Sequence, residues 1–151
     1  LYDPEWVIHT KSEQLPPAFT GSDAQVDGSL LCDGCQVFGK VARSIIGPGA
    51  IVAAGAEVTD YLVMNNTVIG SGAVVDRAIL DKRVAVGAGA RVGWGDDNTP
   101  NRAMPNNLNT GITLVGKRAQ VPAGAHIGRN VVIRPNTSAP AGGEVRSGET
   151  V

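Results

Sequence analysis

Between Ile46 and Val92, large aliphatic residues return at steps of six, six and five and then repeat, and no other feature limits the fold as tightly. The full period is seventeen residues. It puts Ile46, Val63 and Leu80 in one column, Val52, Ile69 and Val86 in a second, and Val58, Val75 and Val92 in a third. Two places before the aliphatic that closes each six-residue step stands a compact residue: Ala50, Ala56, Thr67, Ala73, Val84 or Ala90. Short fixed periods mark solenoids. Neither helical nor alternating-strand spacing produces three columns together.

Each step is predicted to be a short strand, aliphatic and compact residues inward, with Gly, Asn or Asp letting the chain turn at its end. Three sides make one coil, and coils stack at strand spacing, about 4.8 Å. A buried Val, Ile or Leu then packs on its equivalents above and below, worth about 1.5–3 kcal/mol each. No coil buries both of its faces alone, so stability comes from stacked neighbours. The six-residue signature, aliphatic-Gly-x-x-Ala-x, resembles the hexapeptide repeat of left-handed parallel β-helices. The expected class is all-β: a single-stranded left-handed parallel β-helix with one long inserted loop. Its handedness is implied by the resemblance alone.

A chain of 151 residues with 20 glycines and only 4% aromatics must build an aliphatic core with many turns. The net charge of −1 argues against nucleic acid or an acidic membrane surface as partner. No apolar run approaches the length of a membrane span, and no secretory leader pattern is present. Cys32 and Cys35 form a Cys-x-x-Cys, which alone suggests a redox pair or half a zinc site. The repeat offers a structural alternative, in which Cys35 takes the compact inward position and Cys32 the slot of Gly47 or Gly70. Free thiols fit a reducing cytoplasm.

Residues 1–20 lack the repeat and contain Trp6, Pro16, Pro17 and Phe19, as expected of an ordered connecting segment. Opening on Leu1 rather than Met, the chain is expected to be a piece of something longer. The β-helix is expected over 21–140, beginning irregularly near Val26. Residues 93–114 break the period with an Asn-, Asp-, Gly- and Pro-rich stretch, predicted to be a loop projecting from the coils. Counting leaves open a bulge or a distorted extra coil. The repeat returns at Val115, Val121, Ile127 and Ile133, and residues 141–151 are expected to form a flexible tail.

Four stretches resemble the C-terminal domain of the glucose-1-phosphate adenylyltransferase family. They are Asp3-Pro-Glu-Trp with Leu15-Pro-Pro-Ala-Phe; Ser44-Ile-Ile-Gly-Pro-Gly; Arg77-Ala-Ile-Leu-Asp-Lys-Arg-Val-Ala-Val-Gly; and Gly111-Ile-Thr-Leu-Val-Gly-Lys-Arg-Ala-Gln-Val-Pro-Ala-Gly. The chain departs from the family at Phe19, where a lysine is expected after Pro-Pro-Ala. The resemblance implies a regulatory and oligomerisation domain, not catalytic alone. Its parent would join ATP and glucose 1-phosphate into ADP-glucose and pyrophosphate for glycogen synthesis, using Mg²⁺ in an N-terminal nucleotidyltransferase domain. The implied partners are that domain, further copies of the chain and a phosphorylated sugar effector, in the cytoplasm. No cofactor, metal site or catalytic residue is expected in this domain.

Two groups of charged residues share slots in consecutive coils. Lys82-Arg83 and Lys117-Arg118 would form a four-cation patch if the 93–114 stretch only bulges out; the alternatives are an anion site and a solvated edge. Arg43, Asp60 and Arg77 would stack as an Arg–Asp–Arg ladder, solvated or at an interface. Trp94 is expected to pin the loop to a coil face or a partner. His126 faces outward, and a rival expectation is a trimeric hexapeptide-repeat acyltransferase that uses acyl-CoA with His126 as general base.

Overall fold

In the computed structural model, which describes residues 14–60 and 62–151, nineteen short strands numbered β1 to β19 in chain order wind into three parallel sheets. The first sheet holds β1 (Phe19–Thr20), β4 (Gln36–Val37), β7 (Ile51–Val52), β10 (Val68–Ile69), β13 (Ala85–Val86) and β16 (Gln120–Val121). The second holds β2 (Gln25–Asp27), β5 (Lys40–Ala42), β8 (Glu57–Thr59), β11 (Val74–Asp76), β14 (Arg91–Val92), β17 (His126–Ile127) and β19 (Glu144–Val145). The third holds β3 (Leu30–Leu31), β6 (Ile45–Ile46), β9 (Leu62–Val63), β12 (Ala78–Leu80), β15 (Thr113–Val115) and β18 (Val132–Ile133). From β1 to β18 each strand pairs with the one three places on, so the chain climbs one coil per three strands, and β19 closes the stack on β17.

The register reproduces the sequence columns. Val52 lies against Ile69 and Ile69 against Val86. Val58, Val75 and Val92 align in the second sheet, and Ile46, Val63 and Leu80 in the third. All nine side chains are 3% exposed or less, and Ala50, Ala56, Thr67, Ala73, Val84 and Ala90 are equally buried beside them. Thr67 is the polar member, and its hydroxyl donates to the Asp81 carbonyl at 2.9 Å, so nothing polar is left unpaired there. Cys35 fills the same inward slot, and Cys32 is partly buried.

The corners demand backbone that turns in the left-handed region. At five corners between the first and second sheets that position is glycine: Gly55, Gly72, Gly89, Gly124 and Gly142, with φ from 61° to 73°. The other corners accept larger residues. Arg43, Asp60 and Arg77 occupy one column, Asn66, Arg83 and Arg118 another, all with φ between 48° and 61°. Gly93 follows Val92 as Asp76 follows Val75 in the neighbouring coil, and a Cβ at Gly93 would overlap the Asp76 carbonyl oxygen.

Three expected boundaries move. The solenoid starts earlier than residue 21, because Phe19–Thr20 already pairs with Gln36–Val37. Residues 1–13 of the expected connecting segment lie outside the described residues. Residues 141–151 are no loose tail: Glu144–Val145 pairs with His126–Ile127, Thr150 bridges to Val132, and Val145 is buried. Their Gly and Ser content serves another tight corner, which composition alone does not separate from fraying.

The 93–114 stretch is a bulge rather than an extra coil, since Leu80 pairs directly with Val115. It does not project. The excursion ends at residue 112 and folds back on the last coils, held by two fully buried asparagines. Asn101 Nδ2 donates to the carbonyls of Asn130 at 2.9 Å and Glu149 at 3.1 Å. Asn130 Nδ2 donates to the Asn98 and Thr99 carbonyls, both at 3.1 Å, and its Oδ1 accepts from Gly111 N at 2.7 Å.

Candidate functional site

Because the bulge leaves the stacking unbroken, the turn 81–84 lies directly under the turn 116–119. Arg118 N donates to the Lys82 carbonyl at 3.0 Å, which fixes the two basic pairs one coil apart. Lys82, Arg83, Lys117 and Arg118 are all exposed. The left-handed corners at Arg83 (φ 60°) and Arg118 (φ 58°) set their side chains off the edge between the third and first sheets. The nearest acid in sequence, Asp81, uses Oδ1 to accept from Lys82 N at 2.6 Å. None of the ion pairs found among the described residues involves these four cations. A phosphate or carboxylate at this edge can meet donors from two coils in charge-assisted contacts. Both arginines offer a planar fork, the lysines mobile point charges.

The second charged column is only partly joined. Arg43 Nε donates to Asp60 Oδ1 at 2.7 Å and Nη2 to Oδ2 at 3.0 Å, a bidentate pair open to solvent. These bonds hold the Asp60 carboxyl below its ordinary range and raise the Arg43 guanidinium. Arg77 shares the column but makes no ion pair among the described residues, so the expected three-member ladder is a two-member one. The reason is geometric: both Asp60 oxygens are turned to Arg43.

Trp94 is 45% exposed and its amide donates to the Ile127 carbonyl at 2.8 Å, pinning the start of the excursion to the second sheet. The Arg91 guanidinium sits 4.0 Å from the centre of the indole, a cation–π contact. The His126 ring lies 5.8 Å from Trp94, exposed, and makes no side-chain hydrogen bond among the described residues. Nothing here orients it as a base.

Between Trp94 and the second sheet runs a groove of about 450 Å³, lined by Glu57, Thr59, Asp76, Arg91, Trp94, Asp96 and Arg129 among others. Sequence spacing missed it, because Arg129 reaches it from beyond the excursion. The signal available was the pairing of Arg91 with His126 in one outward column. Asn101 was equally hidden among the asparagines of a polar stretch, and Asn130 reads as an ordinary left-handed corner residue (φ 55°) of the resumed repeat.

Residues 16–115 match the family described as GlmU-like, C-terminal hexapeptide, whose repeat fits the left-handed winding expected from the sequence. A glucose-1-phosphate adenylyltransferase of Thermomicrobium roseum is 58% identical over 154 aligned residues, which take in all of this chain and 36% of that protein. The enzyme of the same name in Acetivibrio thermocellus is 40% identical over 92% of this chain and 32% of its own length. The chain thus spans about a third of the curated relatives it matches, corresponding to their C-terminal part. Among solved structures, a hexapeptide transferase family protein from Anaplasma phagocytophilum is similar over 92% of this chain and 76% of its own, at 14% identity and a TM-score of 0.46.

Proposed function

The chain belongs to the GlmU-like, C-terminal hexapeptide family, and from that membership we propose that it is the regulatory and assembly module of a glucose-1-phosphate adenylyltransferase, catalytically inert by itself. The observation that carries the proposal is the 58% identity running through the whole of this chain while covering only 36% of the relative. In this reading the parent joins ATP and glucose 1-phosphate, with Mg²⁺, in a nucleotidyltransferase part preceding this one. The setting is the cytoplasm, and no helix among the described residues is long and apolar enough to cross a membrane.

The four-cation edge supports an effector role. Lys82, Arg83, Lys117 and Arg118 present positive charge from two adjacent coils with no carboxylate paired to them among the described residues. A sugar bisphosphate engages such an edge through two or more charge-assisted bonds, and added salt weakens it. The exposed column of Arg43, Asp60 and Arg77, with Trp94, is the proposed contact surface for further copies or for the preceding domain.

The test is an assay of the isolated chain with ATP, glucose 1-phosphate and Mg²⁺, and separately with acetyl-CoA and amino sugars. The expected result is no ADP-glucose and no acetyl transfer. Formation of ADP-glucose by the chain alone would overturn the proposal. Acetyl transfer abolished by His126→Ala would replace it with the acyltransferase reading.

A further inference from the structure

The groove under Trp94 holds a guanidinium that lacks the bonds its burial requires. The Arg129 side chain is 14% exposed, and its Nε is buried with no hydrogen-bond partner among the described residues. Its nearest acid, Asp76, places Oδ2 3.7 Å from Nη2, beyond hydrogen-bond length. A guanidinium carries five N–H donors, and leaving such donors buried and unmade is costly. Gly111, at φ 87°, lies beside the stem: a Cβ there would stand in ordinary contact with Arg129 Cδ at 3.6 Å and would crowd Asn98 Oδ1 at 2.9 Å.

The rest of the groove offers what a ligand needs to complete this site. Arg91 supplies a second guanidinium, steadied on the indole of Trp94 at 4.0 Å. Glu57 is already occupied by Lys40 at 3.0 Å, so the carboxylates free to accept are Asp76 and Asp96. Two donor forks facing two acceptors do not suit a bare anion or a neutral sugar. They suit one molecule with an oxyanion for the arginines and hydroxyls for the carboxylates.

We infer that this groove binds a small phosphorylated polyol, the phosphate on Arg129 and Arg91 and its hydroxyls on Asp76 and Asp96. The site is separate from the four-cation edge and lies wholly within this chain, so it stands whether or not the adenylyltransferase reading holds.

Trp94 reports on the groove directly. Because the chain has two tryptophans, a Trp6→Phe variant leaves Trp94 as the sole indole. Adding Lys82→Ala and Lys117→Ala removes the edge as a competing phosphate site. In that background, glycerol 3-phosphate is expected to change Trp94 emission saturably, inorganic phosphate to do so more weakly, and glycerol not at all. Arg129→Gln should weaken glycerol 3-phosphate at least tenfold. Asp76→Asn, by removing the competing carboxylate, should tighten inorganic phosphate. Absence of a saturable response, an equal response to glycerol, or unchanged affinity in a folded Arg129→Gln variant would overturn the inference. If Arg129→Gln does not fold, Asp76→Asn decides, and unchanged or weaker phosphate binding refutes the site.

Discussion

Ile69 and its neighbour Val68 show how much one position in this fold decides. Ile69 lies between Val52 and Val86 with no exposed surface, while Val68 points outward and is 43% exposed. Ile69→Asp would bury an unpaired carboxylate and remove a stacked side chain, costing on the order of 4 kcal/mol or more. Val68→Asp should change stability by less than about 1 kcal/mol. Chemical denaturation of the two variants checks this, and equal losses would mean the column is misassigned. Burial also raises the Cys35 thiol pKa above its ordinary value. The folded state therefore keeps Cys35 protonated where the unfolded chain ionises, so stability is complete below the unfolded thiol pKa and falls as pH rises past about 8.5–9. Cys35→Ala should flatten that alkaline decline. Under native conditions a thiol reagent should modify Cys32 first and reach Cys35 only as the protein opens, and equal rates would contradict the burial. The inward columns were legible in the sequence because each residue's role repeats every coil. The left-handed arginines were not: Arg43, Arg77, Arg83 and Arg118 turn corners for which Arg carries no local signal, and only alignment with Gly28 and Gly49 reveals them.

At the scale of elements, the excursion from Gly93 to Ile112 is the one place where the period says where order is lost but not what replaces it. Counting left open a bulge or a distorted extra coil, and the pairing of Leu80 with Val115 shows an unbroken stack. That it lies folded on the last coils depends on Asn101 and Asn130, whose buried Nδ2 groups donate to backbone 29 to 48 residues away. Such long-range bonds leave no mark on composition, and the same blindness made 141–151 look like a tail. Asn130→Ala removes three bonds to Asn98, Thr99 and Gly111 and should cost about 3 kcal/mol. Hydrogen exchange should then quicken at Gly111 and Leu108 while Ile69 and Val86 stay protected. Unchanged exchange at Gly111 would mean the excursion is held by other contacts.

Across the whole molecule, a stiff three-sided column presents different chemistry on different edges. One edge gathers Lys82, Arg83, Lys117 and Arg118 in two neighbouring coils; another carries the Arg43–Asp60 pair; the groove by Trp94 sits on a third surface. A rod of this kind holds charged groups at fixed spacing. The most direct test joins this chain to the remaining N-terminal part of the Thermomicrobium roseum relative, replacing that protein's own matching third. The quantity to measure is the sugar bisphosphate concentration giving half-maximal change in the rate of ADP-glucose synthesis, with and without Lys82→Ala/Lys117→Ala. Losing two charge-assisted contacts should raise that concentration about tenfold or more. Identical response curves for the two proteins would contradict the proposal that this chain is the effector-binding module.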